Sequence, residues 1–310
     1  MNAALCLVGP TGIGKTAVAL EIARITEVEI ISADSRQIYK YLNIGTAKPS
    51  TDELQAAPHH FIDILDPSIP YSAGQFAREA RSVIDQIIHR KKLPLIAGGA
   101  GFYIQALIDG LSAIDISTDT ERDRLKERWE AGESDAIFDE LRAVDPQSAA
   151  HLKKNDKQRI IRALEVYLAG KKRLSDLHKI KPLAAEFRVL MFGLMADRSS
   201  LYKRINCRVD EMLRQGLVDE VKGLVQMGYD QRLNALNTVG YKEVFEYLDH
   251  KLSYEQMVGE IKKNSRRYAK RQLTWFRRDN RIQWLDTNRY RSACELAEQI
   301  IHTFQHTGKG

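Results

Sequence analysis

Ala3-Ala4-Leu5-Cys6-Leu7-Val8-Gly9-Pro10-Thr11-Gly12-Ile13-Gly14-Lys15-Thr16 runs an apolar strand into a glycine loop and out into a helix. Residues 9–16 match GxxxxGK[ST] with a strand before and a helix after, the context that this phosphate-loop signature requires. Glycines let successive backbone N–H groups converge on phosphate oxygens, and the helix N-terminus adds its dipole. Lys15 supplies a point charge and the Thr16 hydroxyl can hold Mg²⁺. Gly9, Pro10, Thr11, Gly12, Ile13, Gly14, Lys15 and Thr16 therefore read as a binding loop for a phosphate ester or diphosphate. Such loops commonly bind ATP, but the motif alone does not select a nucleotide. The nearest Walker-B candidate, Ile30-Ile31-Ser32-Ala33-Asp34-Ser35, is a weak match. Asp34 lies just past the second strand, where a doubly wound sheet binds its substrate. Metal ligand, turn cap and general base all stay open for it.

Outward from the loop, short β-rich runs alternate with helical stretches: Ala3–Val8, 16–25, Glu29–Ser32, His60–Leu65, 76–90 and Leu93–Ala97. That alternation predicts a parallel sheet with crossover helices. Ser72-x-x-Gln75 reads as a capping box, ahead of Phe76, Ala80, Val83, Ile84 and Ile87 at helical spacing. From about 115 to 185 the β-rich runs stop. Three helices are expected there, started at Thr118-x-x-Glu121, Asp145-Pro146 and Asn155-Asp156, with Gly170 closing the third. Val189–Leu194 resumes as a strand, and helices are expected over 201–213, 218–227, 241–248 and 254–276 before a short polar tail, 307–310. The fold class is α/β: a P-loop, doubly wound, mostly parallel sheet core over 1–114 and 186–310, with a helical insertion domain over 115–185 and a helical C-terminal region.

With 44% hydrophobic residues in 310, the chain is neither disordered nor fibrous. Cys6, Cys207 and Cys294 are odd in number and far apart, which argues against a disulfide framework or a cysteine zinc site. The N-terminus lacks a signal peptide's basic region, and no window approaches the roughly 18 apolar residues of a membrane helix. A reduced, soluble, cytoplasmic protein that does not meet a membrane is the expectation. No histidine pair has HExxH or comparable ligand spacing, and His59-His60 reads as structural.

The net charge of +6 is local. Residues 262–281 hold nine basic side chains against the single acid Asp279, so the rest of the chain is slightly acidic. Lys263, Arg267, Lys270, Thr274, Arg277 and Arg281 recur at intervals of three and four, a continuous cationic stripe on a helix. Ile261, Tyr268 and Trp275 recur every seven residues on another face, and Trp275 and Phe276 suit either stacking on a base or a place in the core. A stripe nearly free of acids points to a polyanion backbone. Arg159 and Arg162 lie together on one face of the third insertion helix, a second candidate contact. Arg204 and Arg208, one turn apart, suit either surface salt bridges or a clamp on an anion.

Together these motifs resemble the tRNA dimethylallyltransferase (isopentenyltransferase) family. The resemblance spans almost the whole chain through GPTGIGKT (9–16), ISADSRQIY (31–39), IGTAKP (44–49), HHFIDILDP (59–67), YSAGQF (71–76), RIIRALEVY (159–167), LYKRINCRVDEML (201–213), VGYKE (239–243) and YAKRQLTWFR (268–277). It implies transfer of a dimethylallyl group from dimethylallyl diphosphate to N6 of the adenosine 3′ to the anticodon in tRNA, with Mg²⁺ as cofactor and release of diphosphate. By the same resemblance Lys15 and Arg208 neutralise the departing diphosphate, Thr16 places Mg²⁺, Asp34 accepts the N6 proton and Thr11 orients groups at that junction. Implied tRNA contacts are Asp34, Ser35, Arg36, Gln37, Ala100 (usually Thr in the family), Arg122, Gln158, Arg159, Ile160, Ile161, Arg162, Asn237, Thr238, Val239, Gly240, Tyr241, Lys242, Lys270, Arg271, Gln272, Leu273, Thr274, Trp275, Phe276 and Arg277. The insertion is expected to clamp the anticodon stem-loop, and the protein is expected to be a monomer. A P-loop kinase acting on a nucleoside or small metabolite is the alternative, but it leaves the basic helix without a role.

Overall fold

The structure is a computed structural model that describes residues 2–111, 119–180 and 182–307. In chain order the elements are β1 Ala3–Val8, α1 Lys15–Ile25, β2 Val28–Ala33, α2 Thr51–Ala56, β3 His59–His60, α3 Ala73–His89, β4 Leu93–Gly98, α4 Gly101–Asp109, α5 Asp119–Glu130, α6 Ser134–Val144, α7 Pro146–Ala150, α8 Lys157–Gly170, α9 Leu174–Leu177, β5 Arg188–Met195, α10 Arg198–Arg214, α11 Leu217–Gln226, α12 Tyr241–Leu248, α13 Tyr254–Phe276, β6 Ile282–Asp286 and α14 Ala293–Thr307. They form two compact units, one of 1–108 with 185–310 and the other of Asp109–Ala184.

The first unit is built on a six-stranded parallel sheet in the order β3-β2-β4-β1-β5-β6. Every residue of β1 is buried, as expected of a strand covered on both faces. Its side chains alternate between two cores: Ala4, Cys6 and Val8 join one, and Leu5 and Leu7 join the other. The first core holds α3 residues Phe76, Ala80 and Ile84 with Val209, Tyr241 and Ile261, while the second holds Ile22 of α1 and Ile300 of α14. Burial of Cys6 pushes its thiol up to about 12, which makes it an inert core residue.

Helices α12 and α13 occupy the expected spans, and α13 starts with a full capping box between Ser253 and Gln256. Ser72 accepts from the Gln75 amide at 3.1 Å, but the Gln75 side chain turns to Glu79, so only half of that box forms. The expected strand over 60–65 is cut to β3 because Phe61 and Asp63 take left-handed φ of 65° and 56°. Beyond it only a bridge between Tyr39 and Leu65 remains.

The second unit is all helical among its described residues, with five helices where three are expected. Helices α6 and α9 are the elements without a sequence signal, since neither Glu133 nor Arg173 at their N-caps makes a side-chain cap. Asp145 and Asp156 stand at the N-caps of α7 and α8 as expected, but Gly170 lies within α8 and Lys171 takes the left-handed turn after it, φ 52°. Glu165, inside this unit, accepts from Nε and Nη2 of Arg122 at 2.8 and 2.9 Å and from Nη1 of Arg162 at 2.6 Å. Thr118 and the tail residues 308–310 lie outside the described residues.

Candidate active site

At the carboxyl ends of the strands the first unit encloses a cavity of about 460 Å³. Its walls come from the loop after β1, the turn after β2, Gly98-Gly99 at the end of β4, one face of α10, the segment 238–240 and α13. Thr11, Lys15, Thr16, Asp34 and Arg208 all line it, although they come from three separate stretches of the chain.

Each group is placed by its element. Gly14 caps α1 at φ 104°, a left-handed conformation, and nothing stands within 4 Å of where its Cβ would be. That leaves the backbone open to an anion at the helix N-terminus. Lys15 Nζ curls onto the carbonyls of Gly9 and Pro10, 3.0 Å from each. Burial, reinforced by repulsion from Arg208 and opposed by Asp34, pushes its ammonium down to about 8. An anion in the loop restores that charge. A diphosphate monoester should therefore bind with proton uptake at about pH 9, and its affinity should weaken as pH rises past about 8. Calorimetry in two buffers of different ionisation enthalpy measures this, and binding without proton uptake would contradict the assignment of Lys15 to the anion.

Arg208, on α10, makes no hydrogen bond or ion pair among the described residues. Burial lowers its tendency to stay charged, with Asp34 the charge that opposes this. A half-buried guanidinium without a partner is an anion site. Arg204 instead hydrogen-bonds the Ile13 carbonyl at 3.4 Å and Thr287 Oγ1 at 3.3 Å, so it steadies the loop. Neither arginine forms a salt bridge among the described residues.

Asp34 Oδ1 accepts from the Arg36 amide at 2.8 Å and the Gln37 amide at 3.4 Å, so Asp34 caps its own turn. No hydrogen bond to Oδ2 occupies it among the described residues, which leaves that oxygen to the cavity. The loop backbone is tied to α13 by Gln272, whose Oε1 accepts from Thr11 N at 2.8 Å and whose Nε2 donates to Gly99 O at 3.0 Å. Tyr268, one turn earlier on α13, also faces the cavity, and burial pushes its hydroxyl up to about 12.

Several of the residues implied as tRNA contacts have their side chains turned inward. Ile160, Ile161, Tyr241 and Phe276 are core residues, and the Gln272 amide is taken up by the scaffold. Gly240 is buried and Leu273 is packed against the core. Gln37 is held by Ser32 and by the carbonyls of Thr46 and Ala47, and Arg122 and Arg162 by Glu165. Arg36 donates to the Asn234 carbonyl at 2.6 Å. Exposed are Gln158, Arg159, Asn237, Lys242, Lys270, Arg271, Thr274, Trp275 and Arg277, while Ser35, Ala100, Thr238 and Val239 are partly covered.

The cationic stripe is shorter than its spacing implies. α13 ends at Phe276, so Arg281 falls outside it and pairs with Asp279 at 2.7 Å. Lys262 pairs with Asp210 and Lys263 with Glu260, at 2.5 and 2.7 Å. Lys270, Arg271, Arg277 and Arg278 make no ion pair among the described residues, and they surround the exposed Trp275, which meets Phe102 edge to face at 6.3 Å.

A P-loop, a carboxylate and an arginine without a protein partner among the described residues, all around one cavity, suit transfer chemistry on a phosphate ester or diphosphate, and relatives narrow the class. The model of the IPP transferase family matches residues 37–279. The chain belongs to that family. A tRNA dimethylallyltransferase of Alkaliphilus oremlandii is 41% identical over 97% of this chain and 96% of its own length. Among solved structures, a tRNA delta(2)-isopentenylpyrophosphate transferase from Staphylococcus epidermidis has a TM-score of 0.72 and 36% identity, covering 99% of this chain and 100% of its own. A eukaryotic dimethylallyltransferase acting on tRNA has a TM-score of 0.79 and 27% identity, with 99% of this chain and 78% of its own covered. No helix among the described residues of this IPP transferase is long and apolar enough to cross a membrane.

Proposed function

We propose that this protein transfers a dimethylallyl group from dimethylallyl diphosphate to N6 of the adenosine 3′ to the anticodon in tRNA. The observation that carries the reading is the convergence of Lys15, the unpartnered Arg208 and the free oxygen of Asp34 on one cavity, in a unit whose α13 presents unpaired cations to solvent. The loop amides, Lys15 and Arg208 hold the diphosphate and take up charge as the carbon–oxygen bond breaks. The adenine, flipped out of the anticodon loop, offers N6 to the allylic carbon, a carbon–nitrogen bond forms, and the electron pair of the broken bond leaves on diphosphate. Asp34 Oδ2 accepts the N6 proton.

Mg²⁺ fits as the cofactor on the chemistry of its donors. Thr16 offers a hard hydroxyl oxygen at the cavity, but among the described residues no cluster of three or more His, Cys, Asp or Glu side chains could hold an ion by itself. The remaining ligands would be diphosphate oxygens, the usual mode for Mg²⁺. When bound, the ion neutralises charge on the leaving group.

The protein acts as a monomer in the cytoplasm, and its helical unit, with exposed Gln158 and Arg159, grips the anticodon stem-loop. Lys270, Arg271 and Arg277 hold the phosphate backbone and Trp275 stacks on an unpaired base. Replacing Lys270 with alanine should weaken tRNA binding and flatten its salt slope by about one. An unchanged slope in filter-binding titrations would remove Lys270 from the phosphate contacts. A P-loop kinase uses the same cavity but has no role for these cations.

A further inference from the structure

The turn that carries Asp34 is held by its own hydrogen bonds and by a distant side chain. It continues into 41–47, where Tyr41 and Ala47 are non-glycine residues at left-handed φ of 67° and 44°. Such conformations cost of order 1–3 kcal/mol each and persist only where surroundings impose them. Local bonds hold part of the segment, with the Thr46 hydroxyl donating to the Leu42 carbonyl at 2.7 Å and the Ala47 amide to the Ile44 carbonyl at 2.9 Å, and a long-range constraint is added by Glu220, in the first turn of α11 and about 180 residues away in sequence. Its Oε2 accepts from the amides of Asn43 at 3.0 Å and Ile44 at 2.7 Å. Its Oε1 accepts from the Gly45 amide at 3.2 Å and the Tyr241 hydroxyl at 2.6 Å. Three successive backbone N–H groups and a phenol thus fill the four acceptor positions of one carboxylate.

Tyr241 reaches Glu220 because residue 45 is glycine, since a Cβ there would come within 2.4 Å of the tyrosine ring. Burial, then the Glu220 charge, hold the Tyr241 hydroxyl well above its ordinary range, so it remains a proton donor to the carboxylate. From this hub a hydrogen-bond chain runs to the chemistry. The Thr46 and Ala47 carbonyls accept from Gln37 Nε2 at 3.3 and 3.1 Å, and Gln37 Oε1 accepts from Ser32 Oγ at 3.0 Å. The Gln37 and Arg36 amides close on Asp34 Oδ1. Tyr241 also begins α12, directly after Thr238-Val239-Gly240 on the cavity wall. One carboxylate therefore joins two segments of the cavity wall. The phosphate loop is anchored separately, through Gln272.

We propose that Glu220 is a positioning residue for transfer: it holds the Asp34 turn and the 238–241 segment in register for the acceptor adenine, without touching either substrate. This rests on the transferase reading above. Misplacing a catalytic group by about 1 Å can cost around 10²-fold. Two full-length variants test it: Glu220→Gln, which presents an amide nitrogen to backbone donors, and Tyr241→Phe, which removes one bond of the four. Single-turnover transfer should fall about 10–100-fold in Glu220→Gln and about 3–10-fold in Tyr241→Phe. The KM for dimethylallyl diphosphate should stay within about twofold in both, because the donor loop has its own anchor, and amide exchange over 36–47 should speed up. Rates within about twofold of wild type in both variants would overturn the proposal, as would donor affinity falling in step with rate. Absence of transfer by the wild-type protein is a different outcome, since it removes the transferase reading itself.

Discussion

Asp34→Asn should lower single-turnover transfer by about 10³-fold while tRNA affinity changes less than about threefold. Asparagine keeps an acceptor oxygen for the Arg36 and Gln37 amides, so the turn that Asp34 caps survives the change. It cannot take the proton that N6 loses as the carbon–nitrogen bond forms. Asp34→Ala removes base and cap together and should be at least as inactive, with added disorder in the turn. The comparison separates the two roles of the side chain. An asparagine variant as active as wild type would confine Asp34 to capping. Loss of tRNA binding in a well-folded variant would place it among the binding groups instead.

Arg208→Ala should lower kcat/KM for the donor by about 10²–10³-fold, yet leave the thermal midpoint unchanged or raise it. In most proteins a half-buried arginine is fixed by acceptors, and its loss destabilises the fold. Arg208 has no hydrogen-bond or ion-pair acceptor among the described residues, so its enclosed charge is a cost to the free protein that only an anionic ligand offsets. Removing it relieves that cost and also relieves its repulsion of Lys15. A midpoint several degrees lower, with activity retained, would make Arg208 a structural residue.

What could be read from the chain was whatever local spacing encodes. The P-loop appears in the required strand–loop–helix context, and α12 and α13 have the spans expected for them. The parallel sheet follows from alternating elements, although β6 was missed because its Ile-Gln-Trp-Leu-Asp follows directly on the cationic run. Local spacing failed where backbone conformation broke the pattern, as at Phe61 and Asp63, which end β3 after two residues. It failed again where a side chain's role is set by a distant partner. Gln272 looks like one more polar residue of a basic helix, yet it bonds Thr11, 261 positions away. Glu220 looks like an acid suited to a helix N-terminus, yet it also accepts from the amides of Asn43, Ile44 and Gly45 and from the Tyr241 hydroxyl. The charge accounting located the cationic helix but could not see that Lys262, Lys263 and Arg281 are neutralised by neighbouring acids.

The central claim is the reaction itself. Purified protein incubated with Mg²⁺, dimethylallyl diphosphate and unmodified tRNA, followed by nucleoside mass spectrometry, tests it most directly, with ATP in place of the prenyl donor as the parallel arm. The predicted result is an adenosine heavier by one dimethylallyl group, formed in the prenyl arm alone and mapped next to the anticodon. Unmodified adenosine in the prenyl arm, with ATP consumed in the other, would contradict the account and assign the phosphate loop to a nucleotide.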